Sequence, residues 1–360
     1  MRIVAHNGAR IWGGAERATV SLLRGLGERG HDVFLLCNDD LVARESVSRG
    51  VPSRICAIGG DVMLHHSFRL SRVLQKMSPD AFIVGTYKKL FIAALGARLA
   101  RVPRIVARVG LESDIPRSLK YKIALRRWTD GVVVNAQRIA APFEELDGFG
   151  PGKVRVIPNS VQSNPGSSSE NRIRSELGLT GGDFVIGTVA RLARQKRLDR
   201  LIRVTAMLPD VHCVIAGDGT ARKTLSQLAI NLGVADRVHL IGNREDAHDV
   251  LDALDVFVLT SDSEGMSNAM LEAMSRGRPV VTTDVSGADD ALAADDKGRA
   301  AGIITGFEDD AIAEAIYRLK SDPALRESLG GEGTRRAATR FSRDAMLVAW
   351  EEFLSAAPRQ

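Results

Sequence analysis

The 360-residue chain has few cysteines, few aromatic residues and no long uninterrupted apolar run, and each shortage argues against a class of protein. Its three cysteines, Cys37, Cys56 and Cys213, are odd in number, far apart and without CxxC or Cys/His spacing. Neither a disulfide framework nor a zinc site is therefore expected, only buried reduced thiols. The adjacent pair His65-His66 does not aim two rings at one point from a helix or a strand, so no metal is expected there. The most apolar stretch, Leu90 to Val102, is broken by Arg98 and Arg101 and falls short of the ~20 residues that span a bilayer. No basic segment followed by an apolar core and a small-residue cleavage site opens the chain, which predicts a cytoplasmic protein. Aromatics are only 5% of residues, and no helix-turn-helix, zinc-finger or aromatic RNA-binding pattern accompanies the basic residues, so nucleic acid is not an expected partner.

What is present is the composition of a soluble globular protein long enough for two domains, with 44% apolar and 26% charged residues. The net charge of +5 is unevenly divided: residues 1–163 carry 25 Lys and Arg against 14 Asp and Glu, the remainder 24 against 30. A basic amino-terminal half can attract an anionic acceptor or an acidic bilayer surface through long-range electrostatics. A solvated basic face is the alternative.

Apolar runs alternate with amphipathic stretches from the first residues: Arg2 to His6, a helix over 15–29, Val33 to Cys37, a helix around 68–76, then runs at 81–85, 104–107, 131–134 and 154–157. That order predicts a mostly parallel sheet covered by helices. The segment Asn159 to Glu170, with Asn164-Pro165-Gly166 followed by a run of three serines, has the composition of a linker. A second unit follows, with runs at 184–189, 211–216, 238–241, 256–259 and 279–283 and helices at 198–207, 222–232, 246–254 and 268–276. The predicted fold is α/β, with two Rossmann-like domains of residues 1–163 and 164–344. Phe341, Met346, Trp350 and Phe353 mark a last helix whose apolar face must be buried.

The stretch Ser261 to Glu272 carries the most chemistry. Gly265 suits a tight turn, and Ser267 or Asn268 suits a helix N-cap. Backbone N–H groups around Met266, Ser267 and Asn268, with the helix dipole, would receive a phosphate. Glu264 precedes that position and Glu272 follows eight residues later, roughly 12 Å along a helix axis. Carboxylate, helix N-terminus and carboxylate match the order sugar, diphosphate and ribose, since carboxylates accept hydrogen bonds from hydroxyls. A solvated acidic loop with one exposed helix glutamate is the alternative, and Asp262-x-Glu264 also admits a metal-binding acidic pair.

Three further segments bear on ligands. Gly13 and Gly14 open the first helix and can present backbone amides to a phosphate or an acceptor, although an ordinary strand-to-helix turn would look the same. Arg191 and Lys196 follow a strand of the second unit, where open α/β sheets place ligands, amid other basic residues that would also make a solvated loop. Gly25-Leu26-Gly27-Glu28-Arg29-Gly30 matches GxGxxG, yet a helix precedes it and a strand follows. Gly30 is better read as a helix end.

The Glu264-x7-Glu272 spacing closely resembles the signature of glycosyltransferase family 4, a retaining family of GT-B fold. Gly13-Gly14-Ala15-Glu16-Arg17, Ile157-Pro158-Asn159, Arg191 with Lys196, and Ile215-Ala216-Gly217-Asp218-Gly219 resemble the same family in its chain order. The resemblance implies a metal-independent enzyme without cofactor that moves a sugar from a nucleotide-sugar donor to a glycan, lipid-linked or other hydroxyl acceptor. The donor would sit mainly in the carboxyl-terminal domain. Glu272 would hold the ribose, Arg191 and Lys196 the diphosphate, Glu264 the sugar hydroxyls, and Gly242 and Asn243 would lie near the base. It also implies that a final helix, about 345–360, packs back on an amino-terminal acceptor domain; peripheral contact with an anionic membrane is what that domain's basic charge, not the resemblance, suggests. Val109 stands where many members carry a histidine, and Arg108, Glu112 and Asp114 are the substitutes on offer. Ser160 and Gln162 also depart from the family wording. An epimerase of the same architecture and a non-catalytic nucleotide-sugar binding subunit are the other readings.

Overall fold

The computed structural model describes residues 1–59, 63–112, 118–146, 152–162 and 170–356. The chain divides into two units, Met1–Asn159 with Arg343–Gln360, and Ser160–Ser342. The division thus falls slightly before the boundary expected at 163/164. Most of the predicted linker, 163–169, lies outside the described residues, as does Asp114.

In the first unit the strands are β1 (Arg2–Asn7), β2 (Asp32–Cys37), β3 (Ser53–Ile55), β4 (Ala81–Val84), β5 (Arg104–Val109), β6 (Gly131–Val134) and β7 (Val154–Val156), in the order β3-β2-β1-β4-β5-β6-β7. In the second they are β8 (Phe184–Val189), β9 (Val211–Ala216), β10 (Val238–Gly242), β11 (Val256–Leu259), β12 (Val280–Thr283) and β13 (Gly302–Thr305), in the order β10-β9-β8-β11-β12-β13. All these pairings are parallel. A parallel sheet is covered on both faces, so its interior strands are continuous apolar runs: every residue of β4, β6 and β11 is buried. The helices between strands bury one stripe, as in Leu198–Met207, which hides Leu198, Leu201, Ile202 and Val204. In each unit the strand order reverses once, between β1 and β4 and between β8 and β11. The connections leaving the two strands at such a point run to opposite sides, which leaves a crevice at their carboxyl ends.

The last helix, Arg343–Ser355, belongs to the first unit. Met346, Leu347, Trp350, Phe353 and Leu354 are buried in that unit's core, and Arg104 donates to the Phe353 carbonyl at 2.8 Å. Glu351 meets Arg29 and His31 at the rim, both at 3.0 Å. A buried side chain of this size contributes about 1.5–3 kcal/mol, whereas an ion pair at the rim contributes about 0–1 kcal/mol. The apolar face therefore fixes the helix. Phe341 is the exception to the expected face, because it precedes the helix and packs in the core of the second unit.

The GxGxxG match resolves as a helix end. Helix Gly14–Glu28 stops there, with His31 N–H donating to Leu26 O at 3.1 Å and Gly30 N–H to Gly27 O at 3.0 Å.

One buried group of β1 makes stability depend on pH. His6 is fully buried, with Nε2 3.2 Å from Cys56 O, and burial lowers its pKa from 6.5 to about 4, helped by the nearby charge of Lys89. The unfolded chain takes up this proton first as pH falls, so the contribution present above pH 6.5 is lost progressively toward about pH 4. Urea unfolding across this window should show that loss, on the order of 3 kcal/mol from this site, and His6→Gln should flatten the slope. An unchanged slope in the variant would remove His6 from the explanation.

Candidate functional site

The reversal between β8 and β11 brings two loops together, residues 190–197 after β8 and 260–267 after β11. They are joined by polar contacts throughout. The Thr260 hydroxyl lies 3.0 Å from Lys196 O and 2.9 Å from Arg197 O, so it grips that peptide segment. Asp262 N–H donates to Gln195 O at 3.0 Å, and Gln195 Nε2 donates to Ser263 O at 2.6 Å. Arg200, buried beneath, donates to Thr260 O at 3.1 Å and to Asp262 Oδ1 at 2.6 Å. Arg197 adopts left-handed backbone (φ +47°) and contacts Asp199 at 3.1 Å and Asp262 at 3.2 Å. Such backbone in a non-glycine residue is uncommon. The carbonyl contacts from Thr260 hold it in place.

These contacts bring Lys196 and Glu264 side by side, although they are 68 residues apart: Lys196 Nζ forms an ion pair with Glu264 Oε1. Ser261, itself fully buried, donates to the same oxygen at 3.0 Å, and Thr283 in turn donates to Ser261 O at 2.7 Å. The second carboxylate oxygen, Oε2, accepts no hydrogen bond among the described residues. Asp262 is bound by Arg197 and Arg200 instead, so the two acids of the Asp262-x-Glu264 pair are each engaged by a different cation.

After Glu264 the chain turns against residues 285–288. Ser286 N–H donates to Glu264 O at 3.2 Å and Gly287 N–H to Gly265 O at 3.1 Å. A side chain at Gly287 would stand 2.5 Å from Gly265 O, so this approach requires glycine there. Gly265, expected to permit the turn by conformational freedom, is not in left-handed backbone. Ser267 is then the N-cap of helix Asn268–Ser275, its hydroxyl accepting from Met270 N–H at 3.4 Å. Met266 and Ser267 are buried, and Asn268 and Glu272 are partly buried. The expected 12 Å helical separation of the two glutamates does not hold, because Glu264 lies in the loop. Only the step from Asn268 to Glu272 is helical, about 6 Å of rise.

Arg191 is exposed at the end of β8, and its side chain makes no hydrogen bond or ion pair among the described residues. Beside it runs the turn Gly217-Asp218-Gly219, with Leu192 N–H donating to Asp218 O at 2.9 Å. Gly217 has φ +133°, and a Cβ there would lie 1.9 Å from Ala190 O. Only glycine lets the two loops approach so closely. Gly217 N–H donates to Gly242 O at 2.7 Å, which ties the end of β10 and the exposed Asn243 to the same rim.

Gly13 and Gly14 lie in the first unit. Gly13 caps helix Gly14–Glu28 without a side chain, and its ideal Cβ position is 3.2 Å from Glu16 Oε2. The expectation that these amides face a phosphate is thus qualified: a nearly buried carboxylate of the same helix already stands at its positive end. Val109 is buried in the core of that unit. Strand alternation puts Arg108 on the other face, where it donates to Thr19 Oγ1 at 2.9 Å and Asn159 Oδ1 at 3.0 Å. Desolvation lowers its pKa to about 10, opposed by the nearby charge of Glu16. Glu112 is partly buried at the following turn. His65 and His66 contact each other as tilted rings 4.2 Å apart. Among the described residues no group of three or more His, Cys, Asp or Glu could hold a metal ion.

Ser261 and Thr260 stand at the edge of the stretch singled out in the sequence and Gln195 beside Lys196, but none of the three had a role legible there. The only signal for them is polarity at the mouth of an apolar strand, which any loop shows.

Two family models match the chain, "Glycosyl transferases group 1" over residues 169–336 and "Glycosyltransferase Family 4" over residues 12–164. Among curated proteins, the lipopolysaccharide core biosynthesis glycosyltransferase LpsD of Rhizobium meliloti is 28% identical over 344 residues, 94% of both chains. The UDP-Gal:alpha-D-GlcNAc-diphosphoundecaprenol alpha-1,3-galactosyltransferase of Escherichia coli is 30% identical over 276 residues, 71% of this chain and 70% of that one. Among solved structures, Anabaena HepE in complex with UDP superposes with a TM-score of 0.85 at 22% identity over 99% of this chain and 100% of that one. A HepE structure with UDP-glucose gives 0.84, also at 22% identity, over 99% of each chain. Both halves match their family models, and the strand order of both sheets is that of two Rossmann-like domains: the chain belongs to glycosyltransferase family 4, with the GT-B fold, and is a glycosyltransferase.

Proposed function

We propose that this glycosyltransferase moves a hexosyl group from a nucleotide sugar, held by the unit Ser160–Ser342, to a hydroxyl of a glycan or lipid-linked acceptor, with retention of configuration and without a metal. The observation that carries this reading is the meeting of Lys196 and Glu264 across the joined β8 and β11 loops, immediately before the helix N-terminus at Ser267. Lys196 and Arg191 stabilise charge gained by the diphosphate as the sugar C1–O bond breaks. The helix N-terminus adds backbone donors, Glu264 accepts from sugar hydroxyls and Glu272 from the ribose. Gly242 and Asn243 border the base. The acceptor oxygen bonds to C1 on the face the phosphate leaves, and its proton passes to the departing phosphate oxygen, so no protein nucleophile is needed.

Metal independence is supported by the carboxylates: Asp262 and Glu264 are already engaged by arginine and lysine, and the diphosphate has cations of the protein's own to meet. A uridine donor is supported by the HepE complexes with UDP and UDP-glucose and by the UDP-Gal named for the E. coli relative. Lipopolysaccharide or related polysaccharide synthesis is supported by the names of LpsD and of CapM of Staphylococcus aureus, a capsular polysaccharide biosynthesis glycosyltransferase. On the acceptor side, the basic balance of residues 1–163 favours an anionic, lipid-linked acceptor and a peripheral contact with an anionic membrane face on the cytoplasmic side. No helix among the described residues is long and apolar enough to cross a membrane.

A thermal-shift panel of UDP, GDP, ADP and their sugar conjugates, run with and without EDTA, tests the donor. A ligand at a hundred times its Kd adds about 2.7 kcal/mol of stability. UDP and a UDP-sugar should raise the midpoint equally in both buffers, and loss of the shift in EDTA would contradict metal independence. Glu272→Ala should weaken UDP binding roughly ten- to a hundredfold, as expected for a lost charged hydrogen bond. Glu264→Ala should chiefly cut transfer, without weakening UDP. Full activity and donor affinity in both variants would refute the assignment.

A further inference from the structure

In the donor site proposed for the β8 and β11 loops, Glu264 uses one oxygen twice, because Oε1 takes both the Lys196 ammonium and the Ser261 hydroxyl. The Glu264 side chain is 12% exposed and that of Lys196 21%, so their charges offset each other in a partly desolvated place. Oε2 accepts no hydrogen bond among the described residues. The carboxylate is therefore fixed by one edge and presents the other.

A free nucleoside diphosphate differs from its sugar ester in two respects that this arrangement reads. Its terminal phosphate carries a further negative charge that the ester masks, and it has no sugar hydroxyls. Such a ligand must share Lys196 with Glu264, and its terminal phosphate is repelled by the carboxylate with nothing given in return. The sugar ester meets the same ion pair with less charge and donates hydroxyl hydrogens to Oε2. Glu264 thus sets a difference of affinities between two ligands through one repulsive and one attractive element.

We infer, on the reading that a nucleotide sugar binds at these loops, that the Lys196–Glu264 ion pair is a selectivity device that favours the nucleotide sugar over the free nucleoside diphosphate, and that Ser261 is the positioning residue that aims the carboxylate. The device lowers retention of the spent nucleotide after transfer. Ser261 is suited to the task because its own carbonyl is fixed by Thr283 and its side chain is fully buried.

Calorimetric titration of the full chain with UDP and with UDP-glucose tests this. In Glu264→Gln, UDP should bind roughly three- to tenfold tighter than in the wild type, the scale of a partly exposed charge contact, while UDP-glucose binds more weakly. The gain for UDP should shrink at high salt. Glu264→Ala, which removes the charge without adding a donor, should show the same gain. Ser261→Ala should weaken UDP-glucose and lower kcat for its turnover, leaving UDP affinity unchanged, and Ser261→Thr, which keeps the hydroxyl, should restore both. UDP affinity that is unchanged or reduced in both Glu264 variants would overturn the selectivity device, and a Ser261→Ala variant losing UDP and UDP-glucose alike would reduce Ser261 to a structural role. Wild-type protein that binds neither ligand would overturn the donor assignment itself.

Discussion

The point at which β8 and β11 part company is the constraint on which the candidate site depends. Every strand of that sheet runs the same way, so the loops at their carboxyl ends share one edge, and the reversal of strand order keeps the two central loops from being covered by their own crossovers. Lys196 and Glu264 come from these loops. Their pairing is secured by main-chain contacts: Thr260 to the Lys196 and Arg197 carbonyls, Gln195 to Asp262 and Ser263, and Ser286 to Glu264. Contacts between backbone atoms and short side chains lose little conformational freedom on forming. That suits a site whose geometry must exist before the ligand arrives.

Glycine takes its place in this scheme through distance. Gly217 lets the β9 turn reach Ala190, and Gly287 lets the turn after β12 reach Gly265, in each case to a separation that a Cβ would prevent. The two approaches press the flanking turns onto the β8 and β11 loops from either side. The first unit offers a parallel case in chemistry rather than geometry. There Arg108 and Glu16 place opposite charges near the start of a helix, held by Thr19 and Asn159, where the family resemblance predicts a histidine on the neighbouring residue.

Much of the fold was legible because a parallel sheet writes its strands as uninterrupted apolar runs, and β6, β8, β9 and β11 fall where those runs lie. Short and half-exposed elements were not: β3 has three residues, two of them exposed, and carries no periodic signal. Helix Leu90–Leu99 was visible only as an apolar stretch, since it is buried on most sides and lacks a polar stripe. Within the site, chemistry that is local in sequence was readable, such as the Ser267 cap and the order from Glu264 to Glu272. The ion pair to Lys196, the hydroxyl of Ser261 and the burial of Val109 depend on tertiary packing, which no local pattern encodes. The helical distance between the two glutamates failed for a related reason, since the turn against Gly287 holds Glu264 outside the helix.

Hydrogen exchange of the full chain with and without saturating UDP-glucose, read by mass spectrometry, tests most directly whether the donor occupies the β8–β11 reversal. A donor bound there should slow exchange in residues 190–197 and 261–272, the segments that carry Arg191, Lys196, Glu264 and the helix N-terminus. Protection confined to other segments, with these two unchanged at saturation, would contradict that placement.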